Sequence, residues 1–277
     1  MLFNVMVTYN DVMEEDNPFV YGELVGAGAF ADREAERDRL RRDLAAGQKT
    51  FLISPRRYGK SSLIRDVMRS LARDRVLTVE VTVAASSSYV GFLESYARAL
   101  IAADTPVSRL QRWAGELLEA VRPEVRFEAD PAGKARFALA FPSTRTDRDA
   151  ARLAAEVFAL PARIATARKQ RMAIALDEFQ AIASFNGGSV EHALRAAVQD
   201  QRAIGYVFAG SEPSLMERMI GPKRPFYKAG PVMRLEKIDA EVFARFIETR
   251  FAGTGIKPEA GLGAAPLPWD GPSESLS

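Results

Sequence analysis

The sequence predicts an α/β protein: a three-layer α/β/α sandwich built on a mainly parallel five-stranded sheet, with a β-hairpin insertion. Three observations predict it. Short apolar, β-branched segments alternate with stretches of helical periodicity, the pattern of βαβ units packed on both faces of one sheet. A strand ending at Ser54 passes through a polar turn directly into an amphipathic helix. A second apolar strand, Met172 to Leu176, ends on the acidic pair Asp177-Glu178.

Taken in order, Asp32 opens a helical pattern in which Leu40 and Leu44 share a face, and Gly47 supplies its stop. Thr50 to Ile53 is a short apolar strand. In the helix after it, Leu63, Ile64, Val67, Met68 and Leu71 recur at three- and four-residue spacing. Val76 to Val83 alternates and is rich in β-branched residues, so it reads as the second strand. Tyr89 to Ile101 is helical again. Within residues 104–146, Val125, Phe127 and Ala129 alternate with polar residues, as do Phe137, Leu139 and Phe141. Asp130-Pro131-Ala132-Gly133 between them predicts a hairpin turn. An Ala-rich helix from about Asp149 to Lys169 leads into the strand Met172 to Leu176. A helix over Val190 to Arg202, a strand over Gly205 to Ala209 and a fifth strand over Val232 to Leu235 follow. Asp239 is the expected N-cap of a helix ending at Phe251.

Composition removes whole classes of chemistry. The 277 residues include no cysteine, which excludes disulfides, thiolate metal sites and cysteine nucleophiles. The single histidine, His192, makes a zinc site implausible and reads as structural. A formal net charge of +2 does not support nucleic-acid binding. No run approaches the ~18 apolar residues of a membrane span, and no export signal opens the chain. The expectation is a soluble, cytoplasmic protein with no membrane partner.

The chemistry concentrates in Ser54-Pro55-Arg56-Arg57-Tyr58-Gly59-Lys60-Ser61-Ser62. A phosphate-binding loop needs inward backbone N–H groups, a glycine for close approach, a lysine for the β- and γ-phosphates, and a hydroxyl for Mg²⁺. Gly59, Lys60 and Ser61 supply the last three, while Ser54 stands where the motif usually starts with glycine. Asp177 is placed to hold Mg²⁺ together with Ser61, and Glu178 to deprotonate an attacking water. Ser211, at the end of a strand, is either a polar sensor of the γ-phosphate or a cap of the helix starting near Pro213. Gln180 either positions water or is an inert helix-start residue. Arg56 and Arg57 either touch phosphate or are solvated. Arg224, in the basic and aromatic loop Lys223 to Lys228, is either an arginine finger completing a neighbour's site or structural. The ligands expected are therefore ATP and Mg²⁺, with a homo-oligomer or an unidentified protein partner.

Asn17-Pro18-Phe19, Phe30-Ala31-Asp32-Arg33-Glu34, Pro55 to Leu63 and Asp177-Glu178-Phe179-Gln180 resemble the prokaryotic AAA-type, or archaeal-type, P-loop ATPases related to the STAND NTPases. Gly210-Ser211 and Pro225-Phe226-Tyr227 resemble later motifs of that family, and the likeness spans roughly residues 17–250. The resemblance implies an additional-strand P-loop sheet, with the Ser211 strand between those of the phosphate loop and Asp177. It also implies that Asn17 to Glu34 lies near the adenine, and that a helical lid and winged-helix domain follow. The organisation expected is an arm over 1–16, an ATPase domain over 17–236 and the start of a lid over 237–256. A disordered tail over 257–277 completes what reads as a C-terminally truncated member. The function expected is a Mg²⁺-dependent ATPase acting as a conformational switch. The alternatives are a nucleotide-binding interaction module with negligible turnover and, further off, a P-loop kinase.

Overall fold

A computed structural model describes residues 33–104, 124–129, 135–141, 146–185 and 189–252. Helix α1, Glu34–Ala45, buries Leu40 and Leu44. It ends at Gly47, whose φ of 75° is left-handed and where a Cβ would collide with the Arg202 carbonyl, so only glycine fits. Strand β1, Lys49–Ile53, then leads through the loop 54–59 into α2, Lys60–Arg73. Next come β2, Leu77–Thr82, a short 3₁₀ turn at Val83–Ala85, and α3, Tyr89–Asp104.

The hairpin is formed by β3, Glu124–Ala129, and β4, Ala135–Ala140, which pair antiparallel with Val125 opposite Leu139 and Phe127 opposite Phe137. Helix α4, Asp147–Arg168, starts two residues earlier than its periodicity predicts. Thr146 and Asp149 form a capping box in which each side chain accepts the other's backbone N–H, at 3.2 and 3.1 Å. Strand β5, Met172–Asp177, is followed by a 3₁₀ segment, Phe179–Ser184, and α5, Ser189–Asp200. Strand β6, Ile204–Gly210, α6, Pro213–Met219, and β7, Val232–Arg234, complete a unit that runs from Glu34 to Glu236.

All five strands of the main sheet are parallel, in the order β2-β5-β6-β1-β7. The strand that ends beside Ser211 therefore lies between the strand of the phosphate loop and that of Asp177. Large side chains on one face of the sheet, including Phe51, Ile174, Leu176, Tyr206 and Phe208, join a core with Phe92, Tyr96 and Val157 of α3 and α4. Their alternates Leu52, Ala173, Ala175, Val207 and Ala209 are buried too, on the side of α1 and α2, which pack on each other. Small residues there let the helices come close: a Cβ at Gly205 would collide with the Leu44 backbone. α3 packs on α4 and α4 on α5, giving the third layer.

Helix α7, Ala240–Ala252, belongs to a different unit. Asp239 caps it as the sequence predicts, its Oδ1 accepting the N–H groups of Glu241 and Val242 at 2.9 and 3.3 Å. The 1–16 arm, the Asn17-Pro18-Phe19 block, the Asp130 to Gly133 turn and the 257–277 tail lie outside the described residues. No described helix is long and apolar enough to cross a membrane.

Candidate functional site

Strand β1 is buried from Thr50 onward and delivers Ser54, itself fully buried, to the C-terminal edge of the sheet. The Ser54 N–H donates to the Gly210 carbonyl at 3.2 Å, and its hydroxyl donates to the Pro55 carbonyl at 2.9 Å. Ser54 is absent from the positions with positive φ, whereas Arg57 (69°) and Gly59 (82°) are left-handed. Glycine is thus not required where the motif departs from its usual form, and is favoured at Gly59. A Cβ at Gly59 would meet nothing within 4 Å, so its constraint is the backbone angle rather than space. The Gly59 carbonyl accepts the Leu63 N–H at 2.9 Å and starts α2, whose first residue is Lys60.

Lys60 is only 5% exposed. Its ammonium donates to Asp177 Oδ1 and, at 3.3 Å, to Glu178 Oε1. Ser61 Oγ donates to Asp177 Oδ2 at 2.8 Å. The first turn of α2 and the end of β5 are therefore joined through both oxygens of one carboxylate. Glu178 has φ 52° and ψ 44°, left-handed for a residue with a side chain. Asp177 Oδ1 accepts the Glu178 N–H at 2.9 Å, and the next residue, Phe179, is fully buried with its ring 4.7 Å from that of Phe208. The turn is held from both sides.

Glu178 Oε2 accepts two hydrogen bonds, from Ser211 Oγ at 2.5 Å and from Gln180 Nε2 at 2.6 Å. Burial pushes this carboxyl up, but the bonds from Ser211 and Gln180 and the charge of Lys60 outweigh it, leaving its pKa below the usual carboxylate value. Glu178 is thus a partly buried, ionised acceptor. Ser211 does not cap the following helix: Glu212 holds the N-cap position of α6, with no side-chain cap bond. Gln180 is buried, with its amide bonded to Glu178.

Lys60, Ser61, Asp177, Glu178, Gln180 and Ser211 are brought together from β1–α2, β5 and β6. The side chains of Arg56 and Arg57 are exposed. Arg224 lines a cavity of about 220 Å³ with Gln180, Glu191, Arg218 and Met219. Its loop is pinned by Phe226, whose ring lies 5.3 Å from Phe179 and 5.2 Å from Phe208. Glu191 and Arg218 escape the sequence reading, because a glutamate in the first turn of a helix and an arginine in the last turn of another are ordinary placements. Among the described residues no group of histidine and carboxylate side chains forms a metal cluster.

Comparison with solved structures identifies the fold. A Walker-type ATPase of Pyrococcus abyssi superposes with a TM-score of 0.54 at 15% identity, over 87% of this chain and 64% of that one. The ORC1 protein of Aeropyrum pernix, solved in complex with DNA, gives 0.51 at 16% identity, over 80% of this chain and 49% of the other. Cdc6p of Pyrobaculum aerophilum gives 0.51 at 14%, over 87% and 54%. The fold is that of the P-loop ATPases. The chain spans between about half and two thirds of the length of these three structures. No protein-family model matches the sequence, and no curated protein matches it significantly. Within the P-loop ATPase fold, the loop after β1 and the carboxylates after β5 occupy one edge of the sheet, where ligands of open α/β sheets collect.

Proposed function

We propose that this chain binds ATP with Mg²⁺ and hydrolyses it, the nucleotide state switching the conformation of the loops around Ser211 and Gln180. The observation that carries the proposal is the joint placement of Lys60, Ser61, Asp177, Glu178 and Ser211, with Lys60 buried and shared between two carboxylates. A buried ammonium at a helix N-terminus, beside a left-handed glycine whose Cβ direction is open, fits an anionic phosphate chain. A hydroxyl bonded to a carboxylate is an oxygen donor pair of the kind Mg²⁺ takes.

In this reading Ser54 to Ser62 cradles the phosphates and Lys60 pairs with the β- and γ-phosphates. Ser61 and Asp177 hold Mg²⁺, which when bound neutralises charge on those phosphates. Glu178 orients the attacking water and accepts its proton, and Ser211 senses the γ-phosphate. Arg224 would serve the site of a neighbouring copy or partner protein as an arginine finger.

A second reading, nucleotide binding with negligible turnover, is favoured by one observation. Both oxygens of Glu178 are already engaged, Oε1 by Lys60 and Oε2 by Ser211 and Gln180. Phosphate release separates the two. Wild type should release phosphate with ATP and Mg²⁺. Glu178→Gln should keep ATP affinity while losing about 10²-fold or more in kcat, because the amide keeps the shape but cannot take a proton. Lys60→Ala should abolish measurable ATP binding in calorimetry. Unchanged affinity in Lys60→Ala would place the site elsewhere.

A further inference from the structure

Gln180 is 93% buried by its 7% exposure, yet its polar atoms are used unevenly. Nε2 donates to Glu178 Oε2 at 2.6 Å, whereas Oε1 is buried with no hydrogen-bond partner. An amide turned the other way would set Oε1 against an ionised carboxylate, so the orientation is fixed by charge. An unpaired buried acceptor lowers stability, and a side chain kept for packing would not need one. The surroundings are shaped to admit it: a Cβ at Gly210 would lie 2.7 Å from Gln180 Oε1 and collide with Met216. Glycine at the end of β6, one residue before Ser211, thus leaves room for the Gln180 amide.

From this geometry we infer that Gln180 is a positioning residue for Glu178, holding Oε2 jointly with Ser211 so that the carboxylate is not drawn wholly onto Lys60. The inference rests on the ATPase reading. Glu178 leaves the strand in a left-handed turn, its Oε1 already lies 3.3 Å from the Lys60 ammonium, and Ser211 approaches Oε2 from a different strand. Without the amide, one of the two donors that hold Oε2 away from Lys60 is gone.

The test is steady-state phosphate release and thermal unfolding of Gln180→Met and Gln180→Glu in the full chain. Gln180→Met removes the donor and the unpaired acceptor together; Gln180→Glu keeps the shape but replaces the donor with a second carboxylate facing Glu178. Gln180→Met should lower kcat by about 10- to 100-fold with KM for ATP unchanged, the expected loss of one hydrogen bond to a charged group, and Gln180→Glu by at least as much, since it also repels Oε2. Gln180→Met should unfold at the same or a higher temperature than wild type. Wild-type kcat in either folded variant overturns the inference. So does a fall in the activity of Gln180→Met that merely tracks a fall in its unfolding temperature, the signature of a packing role. Absence of turnover in wild type itself would instead sink the ATPase reading, so the two failures are distinguishable.

Discussion

Glu178 shows how the site is held at the scale of a single residue. A left-handed conformation costs a residue with a side chain about 1–2 kcal/mol, and it persists here because its neighbours over-determine it. Asp177 takes its N–H and Phe179 anchors the chain immediately after it. Glu191 is the opposite case, a carboxylate kept where it does not ionise readily. It is 5% exposed; burial raises its pKa, and the charges of Arg224 and His192 oppose the rise without cancelling it. The folded chain therefore holds this proton to higher pH than the unfolded chain does. Between the ordinary carboxylate value and the raised one the native state binds more protons, so this contribution to stability falls as pH rises through that window. Glu191→Gln should remove the dependence. The variant should gain stability over wild type at about pH 8 and lose that advantage at about pH 4, measured by urea denaturation. An equal difference at both pH values would mean that Glu191 titrates alike in both states.

At the scale of elements, the alternation of strands and helices was legible because the central strands β1, β5 and β6 are buried on both faces, β2 alternates, and the helices carry apolar stripes. β5 is the clearest: five buried residues followed by two acids at the sheet edge. The hairpin was legible from the alternation of its two strands and the turn residues between them. What was not legible was set by contacts distant in sequence. Neither the pinning of Arg224's loop by Phe226 on Phe179 and Phe208, nor the room that Gly210 leaves for Gln180, has a local pattern. The start of α4 was misplaced for a local reason, since the Thr146–Asp149 box outranks the apolar periodicity that begins later. The two ends of this helix yield predictions of opposite sign. Thr146→Ala should destabilise by about 1 kcal/mol through loss of the cap. Lys169 is the left-handed C-cap, with φ 52° and ψ 38°, and is exposed, so Lys169→Gly should stabilise by about 0.5–1 kcal/mol. The helix has 22 residues, which separates its ends by roughly 30 Å, so the two effects should add in the double variant. Chemical denaturation of the four chains would check both signs and the sum.

At the scale of the molecule, the decisive fact is that the fold and the candidate site share one unit. Glu34–Glu236 contains all five described strands of the parallel sheet, both helical layers and every described residue joined to Lys60 or Glu178. Its core is continuous from β2 across β5, β6 and β1, with aromatic rings of Phe51, Phe179, Phe208 and Phe226 meeting at 4.7 to 5.8 Å. A unit with its own core and all the described strands of its sheet meets the requirement for folding alone. A chain cut to residues 34–236 should therefore unfold in a single cooperative transition, coincident by circular dichroism and intrinsic fluorescence. It should also bind inorganic triphosphate with Mg²⁺, because the lysine, hydroxyl and carboxylates assigned to the phosphates and metal are all inside it. Lys60→Ala in the same segment should remove that binding, which guards against attraction by the exposed Arg56 and Arg57 alone. A segment that folds cooperatively yet ignores triphosphate would detach the site from the sheet edge, and one that does not fold would show that the unit depends on the rest of the chain.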